Sequence, residues 1–125
     1  MVHFIAEFFS RDLEKTVYLQ RLLIVIAKEV IENRIKGKIT RKGDDLHVIQ
    51  ENNLKKLSVS IATASVNSTL IHARFNIKTE DTPVPTIGLE ELEIDPLSFA
   101  QEVLERYTQE IQDIWIARCK VRPVH

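Results

Sequence analysis

Apolar and polar residues alternate most clearly between Arg41 and Ile77. Leu57, Val59 and Ile61 fall on one side of an extended chain and Ser58 and Ser60 on the other. Further on, Ile71, Ala73, Phe75 and Ile77 share a face, with His72, Arg74 and Asn76 opposite. Gly43-Asp44-Asp45 and Glu51-Asn52-Asn53 have turn chemistry. The pattern predicts an antiparallel meander with strands at Lys38–Lys42, Leu46–Gln50, Leu54–Ala64 and Leu70–Ile77. A shorter apolar run, Val2–Phe9, predicts one more strand ahead of it.

Two segments change period. From Arg11 to about Ile35, apolar residues recur at Leu13, Val17, Leu22, Val25, Ile26 and Val30, which is helical spacing. Ser10 is the expected N-cap, and Gly37 the expected C′ residue after Arg34 and Lys36. Leu22–Ala27 is apolar nearly all round, so this helix should be covered on more than one side. A second helix should start at Asp95-Pro96 and carry a stripe of Phe99, Val103, Tyr107, Ile111, Ile114 and Trp115 to about Cys119. Between them, Pro83 and Pro85 exclude a central strand over Lys78–Ile87, and Leu89–Ile94 is acidic and ambiguous. Pro123 closes the chain. The expected architecture is a single α+β domain over 1–125, a mostly antiparallel sheet with two long helices against one face.

Composition narrows the classes without naming a function. A chain of 125 residues can bury about 65% of its unfolded surface in one core. A net charge of −1 excludes a chain-wide polyelectrolyte. The one cysteine, Cys119, allows no intrachain disulfide and no cysteine-based metal site, which suits the reducing cytoplasm. MVHFIAEFF lacks the marks of a signal peptide, and the longest apolar run is far short of a membrane span.

Among polar residues, Lys56 precedes an alternating strand and small Ser58 and Ser60. An ammonium there can neutralise a carboxylate, a phosphate or a developing oxyanion, or simply be a solvated lysine at a strand end. His72, Arg74 and Asn76 could line a pocket or form the wet face of a sheet. His3, His47 and His125 have no metal-ligand spacing with His72 or one another, and Asp44-Asp45 is too sparse for a calcium loop. The basic stretch Arg34–Lys42 could touch phosphate, but no aromatic residues interleave with it for base stacking, so nucleic acid ranks lowest. No Gly-rich phosphate loop or nucleophile elbow is present.

Three pieces of the chain resemble the biotin protein ligase, lipoate protein ligase and octanoyltransferase superfamily. RKGDDL (Arg41–Leu46) is similar to the lysine/arginine-x-x-asparagine-aspartate-leucine turn of the biotin ligases. KLSVSIA (Lys56–Ala62) is similar to their lysine-leucine-alanine-glycine strand, and IHARFNI (Ile71–Ile77) to the histidine-to-asparagine strand of octanoyltransferases. Most of the chain also resembles an uncharacterised archaeal family of that fold. The resemblance implies a shortened biotin-ligase-like (class II synthetase-like) domain. It further implies that Lys56 contacts an acyl carbonyl or acyl-adenylate, with His72 and Asn76 bordering the same pocket. Arg74, Asp45 and Arg41 are the further ligand-binding candidates. Two departures stand against full acyl-transfer chemistry. Ile87 occupies the place of the octanoyltransferase nucleophilic cysteine, and Asn76 follows His72 by four residues where those enzymes have five. The ATP-handling motifs of the ligases have no counterpart in this sequence.

The expected function is therefore binding of a small carboxylate, acyl or nucleotide-like ligand, with acyl transfer at most residual and the cofactor open. The alternative is a non-enzymatic oligomeric module. A homodimer is expected in either case, because the apolar faces of the two helices exceed what one sheet needs.

Overall fold

The computed structural model describes residues 1–79 and 84–121. Pro83, Pro123 and His125 lie outside the described residues. The element order is β1 (Val2–Phe8), α1 (Leu13–Glu32), β2 (Lys38–Lys42), β3 (Asp45–Gln50), β4 (Asn53–Lys56), β5 (Ser58–Ala64), β6 (Thr69–Phe75) and α2 (Pro96–Cys119). All strands pair antiparallel, in two three-stranded sheets of order β1-β6-β5 and β2-β3-β4. The α+β expectation holds, and the single expected sheet is divided in two.

The division falls inside the run expected as one strand, Leu54–Ala64. Lys56 bonds to the 85–87 segment, donating its N–H to the Pro85 carbonyl and accepting from Ile87 N–H, while Leu57 N–H reaches the Leu46 carbonyl. Leu57 and Ser58 are adjacent yet both buried, so the alternation slips by one residue. The expected facing of β5 is thereby reversed. Ser58 and Ser60 lie opposite Phe75 and Ala73 on the core side, and Val59 and Ile61 share the outer side with His72 and Arg74. The inward hydroxyls are satisfied. Ser58 Oγ accepts from Leu46 N–H at 3.1 Å, and Ser60 Oγ donates to the Asp44 carbonyl at 2.8 Å while accepting from Gln20 at 2.9 Å.

α1 starts later than expected. Ser10 belongs to the preceding turn, where its N–H reaches the Phe8 carbonyl and its hydroxyl accepts from Asp12 N–H. The N-cap is Asp12, whose carboxylate accepts from Lys15 N–H at 3.0 Å. At the other end Asn33 in right-handed conformation is the C-cap, and Gly37 lies in the link to β2 with no positive φ. Leu23, Ile24, Ala27, Val30 and Ile31 are fully or almost fully buried. α1 meets β5, β6, β2, β3 and α2, so its all-round apolar surface is covered within one chain.

α2 has Asp95 as N-cap, accepting from Ser98 N–H at 2.9 Å, with Pro96 in the first turn. Phe99 forms edge-on contacts with Phe4 and Phe75 at centroid separations of 6.1 and 5.2 Å. Arg34–Glu102 and Arg106–Glu29 ion pairs and the Tyr107 hydroxyl on the Leu19 carbonyl join α2 antiparallel to α1. Burial pushes the Tyr107 phenol well above its ordinary value. The expected stripe is buried only as far as Tyr107. Ile111 is half-buried, and Ile114, Trp115 and Ile116 are exposed. Tyr107 lies over Leu19, so two turns later α2 has run past the start of α1, and Ile114, Trp115 and Ile116 are left exposed among the described residues.

Candidate functional site at the Lys56 hairpin

The two-residue turn Glu51-Asn52, with φ of 52° and 64°, joins β3 to β4. It pairs Gln50 with Asn53 and hence His47 with Lys56, which puts both side chains on the same face. Asp45, two residues before His47, is on that face as well, and Lys42 of β2 lies opposite Asp45. The Lys56 ammonium is 3.2 Å from Asp45 Oδ2, with side-chain exposures of 32% and 28%. Each charge thus keeps a partner and an opening to solvent.

His47 completes the group. Its Nδ1 is buried and has no hydrogen-bond partner among the described residues. Burial pushes the imidazole below its ordinary value; Asp45 opposes that shift, and the Lys42 and Lys56 charges add to it. A neutral imidazole carries one donor and one acceptor nitrogen, so Nδ1 is a buried hydrogen-bonding atom on the same hairpin face as an ammonium. Sequence reasoning weighed His47 only as a zinc ligand. The signal that could have found it is the Glu51-Asn52 turn, which fixes the hairpin register opposite Lys56.

The backbone under Lys56 is held from both sides. The Asn76 carboxamide donates to the Lys56 and Ile87 carbonyls, both at 3.2 Å. Leu89 N–H returns to the Asn76 carbonyl at 2.8 Å. At Gly88 a Cβ would lie 2.3 Å from the Ile77 carbonyl oxygen, so only glycine lets this loop lie so close to the end of β6. Ile87 is fully buried.

Of the residues singled out by sequence, the fold brings Lys56, Asp45 and Asn76 together. His72 and Arg74 lie on the outer face of the other sheet, with His72 about 13 Å along the strand from Asn76. His72 meets His3 of β1, ring nitrogens 2.9 Å apart. Arg74 is exposed opposite His3. Arg41 donates to the Gly43 carbonyl at 2.6 Å and braces the β2–β3 turn. Within the basic stretch, Arg34 is engaged by Ser98 and Glu102. The exposed thiol of Cys119 lies over the Trp115 carbonyl, one turn back along α2. No group of three or more His, Cys, Asp or Glu among the described residues could hold a metal, and no described helix is long and apolar enough to cross a membrane.

Chemically, the arrangement suits an oxygen-rich anionic group. The ammonium of Lys56 supplies charge, and the imidazole of His47 supplies a directed hydrogen bond.

The comparisons with known proteins agree on the fold. An uncharacterized protein of Methanocaldococcus jannaschii is 41% identical over 116 residues, covering 90% of this chain, and the chain spans about half the length (50%) of that curated relative. A solved protein of unknown function from Pyrococcus horikoshi superposes with a TM-score of 0.86 at 38% identity, over 98% of this chain and 64% of that one. The apo structure of biotin protein ligase from Aquifex aeolicus superposes with a TM-score of 0.68 at 18% identity, over 89% of this chain and 52% of the ligase. At that identity the ligase shares the fold, and its activity is not carried over. A model described as a domain of unknown function, DUF366, matches residues 1–122, and the chain therefore belongs to the DUF366 family.

Proposed function

We propose that the Lys56 hairpin binds a small carboxylate, acyl or nucleotide-like ligand, with Lys56 neutralising its charge and His47 bonding one of its oxygens. The observation that carries this reading is the unpartnered, buried Nδ1 of His47 beside the Lys56–Asp45 pair. A buried polar atom left without a partner costs about 1–3 kcal/mol, a cost that a bound ligand would remove. The likeness in fold to a biotin protein ligase supports the ligand class. Ile87 is buried and cannot act as a nucleophile, so the proposal is binding, with no covalent acyl step through this loop. The proposal includes a cytoplasmic setting, consistent with a free exposed thiol, and a homodimer, since apolar side chains stay exposed on β1 and α2.

Calorimetric titration with octanoate, lipoate, biotin and AMP tests the ligand reading. Binding of at least one is expected, weakened about tenfold or more in Lys56→Ala, as for loss of one charge-assisted contact. Absence of binding by all four at millimolar concentration, or equal binding by Lys56→Ala, would overturn it.

A further inference from the structure

β1 is an edge strand: the sheet order is β1-β6-β5, and nothing among the described residues pairs with its outer side. A seven-residue unpaired edge is a template for another strand, and β1 has no proline or bulge to block one. Beside it runs an open groove, in two stretches of about 390 and 380 Å³, between β1 and α2. On the α2 side its wall continues a seam of Leu97, Gln101, Leu104, Thr108, Ile111 and Trp115. Those positions are spaced four, three, four, three and four residues apart, the spacing of a helix face that meets another helix. Leu97 and Leu104 are 67% and 57% exposed, so no other part of the described chain fills this seam.

We propose that the occupant is a second copy of this chain, joined through β1 edge to edge and antiparallel, with α2 against its twofold mate. The argument for a second copy is that the strand is complementary to itself. Antiparallel pairing centred on Ile5 sets Ile5 beside Ile5 of the other copy and each His3 beside a Glu7. His3, Ile5 and Glu7 lie on the outer face, so the Ile5 pair is flanked on each side by a His3 imidazole facing a Glu7 carboxylate. On the inner face the same register sets Val2 against Phe8 and Phe4 against Ala6, apolar on apolar, above the groove. Joining the edges turns each β1-β6-β5 sheet into half of a six-stranded one and covers the free edge of each β1. This interface gives the homodimer its surface and rests on that part of the proposed function; it is independent of the ligand site.

Mass measurement by light scattering at several concentrations tests it. The wild-type chain is expected at twice 14.4 kDa. Leu104→Glu, on an exposed side chain, should run as a folded monomer with unchanged circular dichroism. Ile61→Lys, on the outer side of β5, should remain dimeric. His3→Glu should raise the dimer dissociation constant about tenfold by opposing Glu7, and His3→Glu with Glu7→Lys should restore it. A dimer that Leu104→Glu and His3→Glu leave intact would overturn this surface and leave the homodimer standing. A concentration-independent monomer would overturn both, and would mean that the groove serves a different chain.

Discussion

At the scale of single residues, the decisive atom is Nδ1 of His47. Its neighbours explain both its proton affinity and its place in the site: burial outweighs Asp45, and Lys42 and Lys56 act with burial. The folded-state value is depressed below the ordinary histidine value of about 6.5, so between the two values the unfolded chain binds more protons than the folded one. Stability from this residue is therefore complete above about pH 6.5 and falls as pH drops through the folded value. Urea unfolding at about pH 5 and about pH 7.5 should show a lower midpoint at the acid end, and His47→Gln should reduce that difference. An unchanged difference would show that His47 is not the group responsible. Little of this was legible in the sequence. Histidines were weighed by their spacing along the chain, whereas His47 matters through its cross-strand partner, and the same holds for His3 and His72, brought together by the β1–β6 register.

At the scale of elements, the helix and strand positions followed from periodicity and turn residues, with β2 and α2 found at their expected bounds. The facing of β5 did not. Alternation reads either phase equally well, and the choice was made by tertiary contacts: Leu46 N–H, the Asp44 carbonyl and Gln20 all need the Ser58 and Ser60 hydroxyls on the core side. The cap of α1 was misplaced for a similar reason, because Ser10 and Asp12 are both good caps and only the turn geometry separates them. The loop at Gly88 offers a direct test of how the Lys56 strand is held. Gly88→Ala should destabilise the fold by about 1–3 kcal/mol, because the added Cβ meets the rigid Ile77 backbone and not a movable side chain. It should also weaken whatever binding Lys56→Ala weakens, since Ile87 and Asn76 fix the Lys56 carbonyl. Wild-type stability in Gly88→Ala, measured by denaturant unfolding, would contradict the close approach.

At the scale of the whole molecule, α1 is the centre. Both sheets and α2 close around it, which accounts for an apolar segment with no polar face. Its exposed apolar side chains include Ile5 on β1, Ile61 on the outer side of β5, and Leu97, Leu104, Ile114, Trp115 and Ile116 along α2. The proposed ligand site and the open edge are thus on different elements: Lys56, Asp45 and His47 belong to β2-β3-β4, and the groove to β1 and α2. That separation makes the central claim testable in a single spectrum. Amide ¹H–¹⁵N shifts followed during titration with octanoate and with a non-hydrolysable octanoyl-adenylate analogue should move at Asp45, His47, Lys56, Ile87 and Gly88. Shifts confined to β1 and α2, or none at millimolar ligand, would contradict a binding site at the Lys56 hairpin.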